Sequence, residues 1–323
     1  EAQAAVTALR EIGGSAAATS AGIYAVRRCL KFKIITKDFG GEVATSGEIG
    51  NWPGVNQTDG ITLANQFKEH LLFYKADIEE GIEVEKIIKQ ADGTFCITAK
   101  KDGLTSSDYR AKSVIVTTGV HPRELNVPGE KEFRSKGVSY CTVCDGPLFS
   151  GKITAVIGGG NSALEAGLML ADITTKVYVI NKNPQFKGDQ ILLDNLKTKK
   201  NVEIIYGAQT TEIVGQEFVT GVKYTKPTPT PGVVGAPTET SEELKTDGIF
   251  IHIGMVPNSG IVGPEVEKNQ FGEIVVNKNC ETNIPGLYAA GDVTDVPHKQ
   301  IVIAAGQCTC ALLSAVNYLN KLK

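Results

Sequence analysis

The sequence predicts an α/β fold made of two parallel-sheet nucleotide-binding units, and three observations carry that expectation. The chain has 323 residues, enough for about two domains at roughly 150 residues each. Residues Ile12 to Lys37 align without a gap on Ile157 to Lys182, so one supersecondary unit is used twice. Glycine, with 35 residues, exceeds the usual share of about 7%, as glycine-rich nucleotide turns require.

The second copy is the clearer. Ile153–Ile157 reads as a buried parallel strand, Leu164–Ala171 as a helical run and Lys176–Ile180 as a second strand. Between strand and helix stands Gly158-Gly159-Gly160-Asn161-Ser162-Ala163. Gly158 permits a tight turn, Gly160 lets backbone approach a pyrophosphate, and Ala163 lets the helix pack closely on the strand. The helix start at Asn161 and Ser162 then faces the phosphates. At the end of the following strand, where an acidic residue would favour NAD, stand Asn181 and Lys182, with Lys187 shortly after. Coenzyme choice between NADH and NADPH is open, with the lysines the candidates for a 2′-phosphate.

The first copy is eroded. Its turn reads Gly13-Gly14-Ser15-Ala16-Ala17-Ala18, with Ser15 and Ala18 where the later glycines would stand. Its leading strand, Val6–Ile12, carries Arg10 and Glu11 where a central parallel strand should be apolar.

Cys141-Thr142-Val143-Cys144-Asp145 precedes the second copy. Two cysteines at this spacing either close a redox disulfide across one turn or form half a zinc site. His70, His121, His252 and His298 are isolated in sequence, and Cys308-Thr309-Cys310 has the wrong spacing, so the redox reading is preferred and no metal is expected. Asp145 suits either a general acid for a leaving thiolate or a helix cap. Cys308 and Cys310 read as small buried fillers of a helix, and Cys29, Cys96 and Cys280 have no evident partner.

A net charge of −3 disfavours a nucleic-acid binder. No stretch reaches the ~18 uninterrupted apolar residues of a membrane span; Ile301–Val316 comes nearest, broken by Gln307, Thr309 and Ser314. The start has neither a basic segment nor a continuous apolar one. With seven scattered cysteines, a reducing, cytoplasmic setting is expected. Lys226–Lys245, rich in Pro and Thr, reads as a long exposed hairpin tip or loop.

Phe39–Glu42, Asn51–Gly54, Val116–Gly119, Val127–Glu130, Cys141–Pro147, Ile157–Ala166, Gly254–Pro257, Thr282–Asp292 and Lys299–Ile301, in that order, resemble the low-molecular-weight thioredoxin reductase family and the similar flavoprotein part of bacterial alkyl hydroperoxide reductase. The resemblance implies two Rossmann-like domains. The first is a discontinuous FAD domain at 1–119 and 249–323, and the second a NAD(P) domain at 120–248 carrying the cysteine pair. By resemblance, Gly13, Gly14, Ser15 and Ala18 hold the FAD pyrophosphate, and Gly40, Gly41 and Asn51 lie near the flavin. Thr118 and Gly119 fall at the crossover, Gly291 and Asp292 at the ribityl chain, and Lys299, Gln300 and Ile301 at a helix start under the isoalloxazine. Cys144 accepts electrons from the flavin, Cys141 attacks a protein disulfide, and Asp145 protonates the leaving thiol. The family also implies a homodimer and a thioredoxin-like partner. A peroxiredoxin or glutaredoxin-like carrier, a donor such as ferredoxin, and a nucleotide-binding protein that has lost flavin are the alternatives. Ser15 places a side chain at the pyrophosphate turn, and Asn181-Lys182-Asn183 replaces the family's basic NADPH motif.

Overall fold

The computed structural model describes residues 6–46, 48–101, 105–228 and 238–322. In chain order these form β1 (Val6–Ile12), α1 (Ala16–Arg27), β2 (Phe32–Ile35), α2 (Gly60–Phe73), β3 (Ile78–Glu79), β4 (Ile82–Lys89), β5 (Phe95–Lys101), β6 (Thr105–Val116) and β7 (Val120–Pro122). Then come β8 (Val138–Ser139), α3 (Thr142–Asp145), β9 (Ile153–Ile157), α4 (Asn161–Ala171), β10 (Lys176–Asn181), α5 (Gln190–Thr198), β11 (Val202–Tyr206), β12 (Gln209–Gly215), β13 (Val219–Thr228) and β14 (Thr238–Lys245). β15 (Gly248–Ile251), β16 (Met255–Pro257), β17 (Leu287–Ala289) and α6 (Ile301–Lys321) complete the chain.

Unit 1 takes the residues up to His121 and from Val256 onward, and unit 2 runs from Pro122 to Met255. The return crossing therefore lies beyond the boundary expected at 248/249. The reason is β15, which pairs in parallel with both β8 and β9 and so belongs to the sheet of unit 2.

The sheet of unit 1 runs β3-β2-β1-β6-β5-β4, with β17 also on β6. Its β1, β2, β3, β6 and β17 pairings are parallel, while β4, β5 and β6 form an antiparallel meander. On one face, α1 and α6 press against the sheet through Ala17, Ala18, Ala21, Ala25, Ala311, Leu312 and Ala315. All of these but Leu312 are alanines, small enough for close helix approach as ridges pack into grooves. α6 is long and apolar enough to cross a membrane, and its buried stripe of Ala305, Cys308, Ala311, Leu312, Ala315 and Leu319 recurs every three or four residues, the period of an amphipathic core helix.

The two charged residues of β1 are buried, on opposite faces. The Arg10 guanidinium lies over the Tyr109 ring, 4.8 Å from its centroid, a cation–π contact. Glu11 is fully buried and accepts a hydrogen bond from the Cys308 thiol at 3.3 Å. Burial drives its pKa far up, so the side chain is carried as a neutral acid, the usual escape for a carboxyl in an apolar site.

Unit 2 is all parallel in its five-stranded sheet, β8-β15-β9-β10-β11. The buried Ala155, Val156, Val177, Val179, Ile249 and Phe250 give the near-continuous apolar strands of a sheet covered on both faces. β12-β13-β14 form an antiparallel layer beside it. The stretch 226–245 contributes to β13 and β14, which pair from Gly221↔Lys245 to Thr228↔Thr238; its central residues 229–237 lie outside the described residues.

Candidate redox and dinucleotide sites

In unit 1, β1 ends at Ile12 and the chain turns at Gly13, whose φ of +146° favours glycine. A Cβ there would overlap Thr117 O. Gly13 N donates to Ile35 O at 3.0 Å, Thr117 N donates to Ile12 O at 2.8 Å, and Gly40 N donates to Gly14 O at 2.5 Å. Ser15 is the N-cap residue of α1, and its hydroxyl donates to Gly40 O at 2.6 Å. The side chain at the pyrophosphate turn is thus a clip to the Gly40–Gly41 bend. Ala18, in the first turn of α1, is fully buried, taking the close-packing role of the third glycine.

Around that turn, Asn51 Nδ2 donates to Gln300 Oε1 at 3.3 Å, and Gln300 is the N-cap residue of α6, followed by Ile301. Lys299 Nζ donates to Thr294 O at 2.6 Å and pairs with Glu273 at 2.9 Å. Gly291, with φ +76°, donates from its N–H to Gln307 Oε1 at 2.8 Å. Asp292 keeps a buried Oδ1 without a hydrogen-bond partner. Burial pushes its pKa up to about 6, against the pull of Lys299 and with a small push from Glu42. An orphaned acceptor of this kind calls for a ligand donor, as a ribityl hydroxyl is, and the residues of unit 1 therefore fit FAD. Thr118 and Gly119 face Asn258 instead: the Thr118 hydroxyl donates to Asn258 O and Asn258 Nδ2 to Thr118 O, each at 2.8 Å, and Asn258 N donates to Gly119 O at 3.0 Å.

In unit 2 the same construction recurs. Gly158 has φ +155° and a Cβ there would overlap His252 O; Gly158 N donates to Ile180 O at 3.0 Å and His252 N to Ile157 O at 2.8 Å. A Cβ on Gly160 would meet nothing within 4 Å, so the backbone at the start of α4 is open to a pyrophosphate. Asn161 binds the loop beyond β10: its Nδ2 donates to Asp189 Oδ2 at 3.0 Å and its Oδ1 accepts from Asp189 N at 2.7 Å. Asn181 is buried, with Nδ2 donating to Gln185 O at 3.0 Å and Oδ1 accepting from Asn183 N at 3.1 Å. Its amide is spent on its own loop, whereas Lys182 and Lys187 are exposed. Ser162 lies in the first turn of α4 and is exposed.

Cys141 and Cys144 are joined as a disulfide with Cα atoms 5.3 Å apart. Cys141 is the N-cap residue of α3, its Sγ accepting from Cys144 N at 3.2 Å, so the capping role falls to Cys141. Asp145 closes α3 and its side chain makes no cap bond to the following turn. The redox turn is fastened to two neighbouring strands. Ser139, at the end of β8, accepts from Cys141 N at 3.0 Å and donates to Cys141 O at 3.3 Å. His252, just past β15, meets the Thr142 hydroxyl through Nε2 at 2.6 Å. Burial lowers the pKa of His252 to about 4, so the imidazole is neutral.

Ser139, Gln307 and His252 lacked any sequence signal: Gln307 and His252 reach Gly291 and Thr142 only through tertiary packing, and Ser139 bonds Cys141 two residues on with no motif to mark it. Of the supposed filler cysteines, Cys308 is buried and Cys310 is exposed, because two positions along a helix turn the side chain through about 200°.

A redox disulfide and a dinucleotide turn within one unit define oxidoreductases that exchange nicotinamide electrons with thiols. Residues 12–308 match the pyridine nucleotide-disulphide oxidoreductase family, and the chain belongs to it. It is 40% identical over 314 residues to the F subunit of alkyl hydroperoxide reductase from Escherichia coli, covering 97% of this chain and 58% of that protein. A Bacillus subtilis protein named NADH dehydrogenase is 39% identical over 95% of this chain and 58% of its own length. The chain thus spans about three-fifths of the curated relatives it matches. Thioredoxin reductase from Streptococcus pyogenes has a structure that superposes with a TM-score of 0.86 at 31% identity, over 99% of this chain and 100% of that one. The family implies FAD and NAD(P)H as the two dinucleotides.

Proposed function

We propose that the chain reduces the disulfide of a thioredoxin-type protein, with FAD held by unit 1, NAD(P)H by the Gly158–Ala163 turn of unit 2, and the Cys141–Cys144 pair as the exchange group. The observation that carries this reading is the disulfide itself, clipped by Ser139 and Thr142–His252 at the edge of the sheet that also bears the coenzyme turn. Bound FAD supplies the two-electron exchange between a nicotinamide hydride and the disulfide. Gln300 and Ile301, at the start of the long α6, would hold the flavin ring, where the positive end of the helix would favour negative charge.

In the thiol steps, Cys141 attacks the partner disulfide as thiolate, forming a mixed disulfide and expelling one partner thiolate. Asp145 delivers a proton to that leaving group. Cys144 then attacks Cys141 Sγ, which restores the intramolecular disulfide and releases the second partner thiol. A peroxiredoxin or glutaredoxin-like carrier is the second reading, supported by the 40% identity to the hydroperoxide reductase flavoprotein. A homodimer is part of the proposal, by likeness to the family.

The test is anaerobic mixing of the FAD-loaded protein with NADH or NADPH while flavin absorbance is followed. Bleaching by one coenzyme, with Cys141→Ser still bleaching but releasing no thiols from a thioredoxin-type disulfide, is the expected result. Bleaching by dithionite but by neither coenzyme would overturn the nicotinamide route.

A further inference from the structure

The two halves of the internal repeat differ in the residue just beyond the strand that closes each glycine turn. In unit 1 that position is Thr117, whose hydroxyl folds back onto Ile12 O at 3.0 Å. In unit 2 it is His252, which makes the matching backbone bond to Ile157 O but sends its ring outward to Thr142 Oγ1 at 2.6 Å. Thr142 is the residue between Cys141 and Val143 and opens α3. It is buried. Thr142 is therefore tied through its hydroxyl to the end of a neighbouring strand, and the turn that carries the two sulfurs is anchored there.

We propose that His252 is a positioning residue for the redox turn, which through Thr142 holds Cys141 and Cys144 in bonding reach and so favours the disulfide over the dithiol. This rests on reading Cys141–Cys144 as the redox pair. Reduction breaks the Sγ–Sγ bond and adds two electrons and two protons; in a glutathione buffer two glutathione thiols supply them and become one glutathione disulfide. The hydrogen bond is present with the disulfide formed, and a buried polar bond of this kind is lost wholly when one partner is removed. Ser139 grips the other end of the turn through Cys141, so the two clips act on successive residues.

The experiment equilibrates the full-length, FAD-loaded protein with graded glutathione buffers, traps thiols by alkylation, and counts Cys141 and Cys144 by peptide mass. Turnover is not the readout, because the backbone of His252 also abuts Gly158. His252→Ala and Thr142→Val are each expected to move the equilibrium at least threefold toward the dithiol, about 14 mV where tenfold is 29.6 mV for a two-electron couple. The double variant should move it no further than either single one, the mark of a shared interaction. His252→Gln, which keeps a group able to bond Thr142, should restore most of the wild-type value. Thr142→Val keeps the shape of the side chain, so its result stands even if His252→Ala folds poorly. Wild-type behaviour of Thr142→Val, or additive shifts in the double variant, would overturn the role of His252 while leaving the redox pair intact. A wild-type pair that never exchanges with glutathione would remove the redox reading and this proposal together.

Discussion

The turn of unit 1 and the turn of unit 2 are built from the same three backbone bonds, yet they are filled differently. Gly13 and Gly158 each donate to the neighbouring strand at 3.0 Å, and Ile12 and Ile157 each accept at 2.8 Å. Gly14 O accepts from Gly40 N, and Gly159 O from Lys187 N. What changes is the side chains: Ser15 against Gly160, and the fully buried Glu11 of β1 against the equally buried Val156 of β9. A βαβ turn is thus set by its strand-end bonds, and the third position of the fingerprint tolerates a side chain that finds a partner outside the turn.

The comparison breaks most sharply at the shared glycines. Gly13→Ala and Gly158→Ala put a Cβ into a backbone oxygen at positive φ, and each should cost its own unit about 3 kcal/mol. Urea unfolding with limited proteolysis should show the loss confined to the substituted unit; loss in both would mean that the units do not unfold separately.

Next in size is Glu11. Its folded pKa is raised by burial, so above about 4.3 the unfolded chain ionises while the folded one stays protonated. Unfolding then releases a proton, and stability falls as pH rises, by about 1.4 kcal/mol per unit until the folded group itself ionises. Below about 4.3 the effect vanishes. Glu11→Gln should flatten this slope and leave the variant more stable than wild type above the ordinary carboxylate range; parallel slopes in denaturant titrations would show Glu11 to be ionised in the fold.

Ser15→Ala removes the donor to Gly40 O and should lower stability by about 1 kcal/mol, with FAD retained several-fold less tightly in equilibrium dialysis. If Ser15→Gly instead tightens FAD, the serine obstructs the turn more than it clips it. The smallest effect is at the rim of unit 2. Lys187→Ala should raise the KM for NADPH about threefold, as loss of one exposed charge contact warrants, with the KM for NADH unchanged.

Much of this was legible in the sequence because the repeat and the C-x-x-C motif are local: strand, turn and helix follow one another within about thirty residues. Arg10 and Glu11 argued against β1 as a central strand, and the fold keeps them there by stacking one on Tyr109 and neutralising the other beside Cys308. Those partners lie far along the chain, beyond the reach of periodicity. The same holds for His252 on Thr142, which depends on the strand order β8-β15-β9; Ser139 stands two residues from Cys141, but no motif marks it. Asn181 was in the right place for a ribose ligand, but its amide is tied into its own loop, a detail that spacing does not contain.

The five thiols outside the disulfide are sorted by depth. Cys280 and Cys308 are buried, while Cys29 and Cys310 lie open. Burial raises Cys280 to about 11 and holds Cys308 well above a normal thiol, which keeps both from competing as thiolates in exchange chemistry. The molecule therefore carries its own tally of oxidation state: a maleimide tag reads a background from the open cysteines and the half-buried Cys96, set by a fully oxidised sample, and mass added beyond that background reports how many of the paired sulfurs have come free.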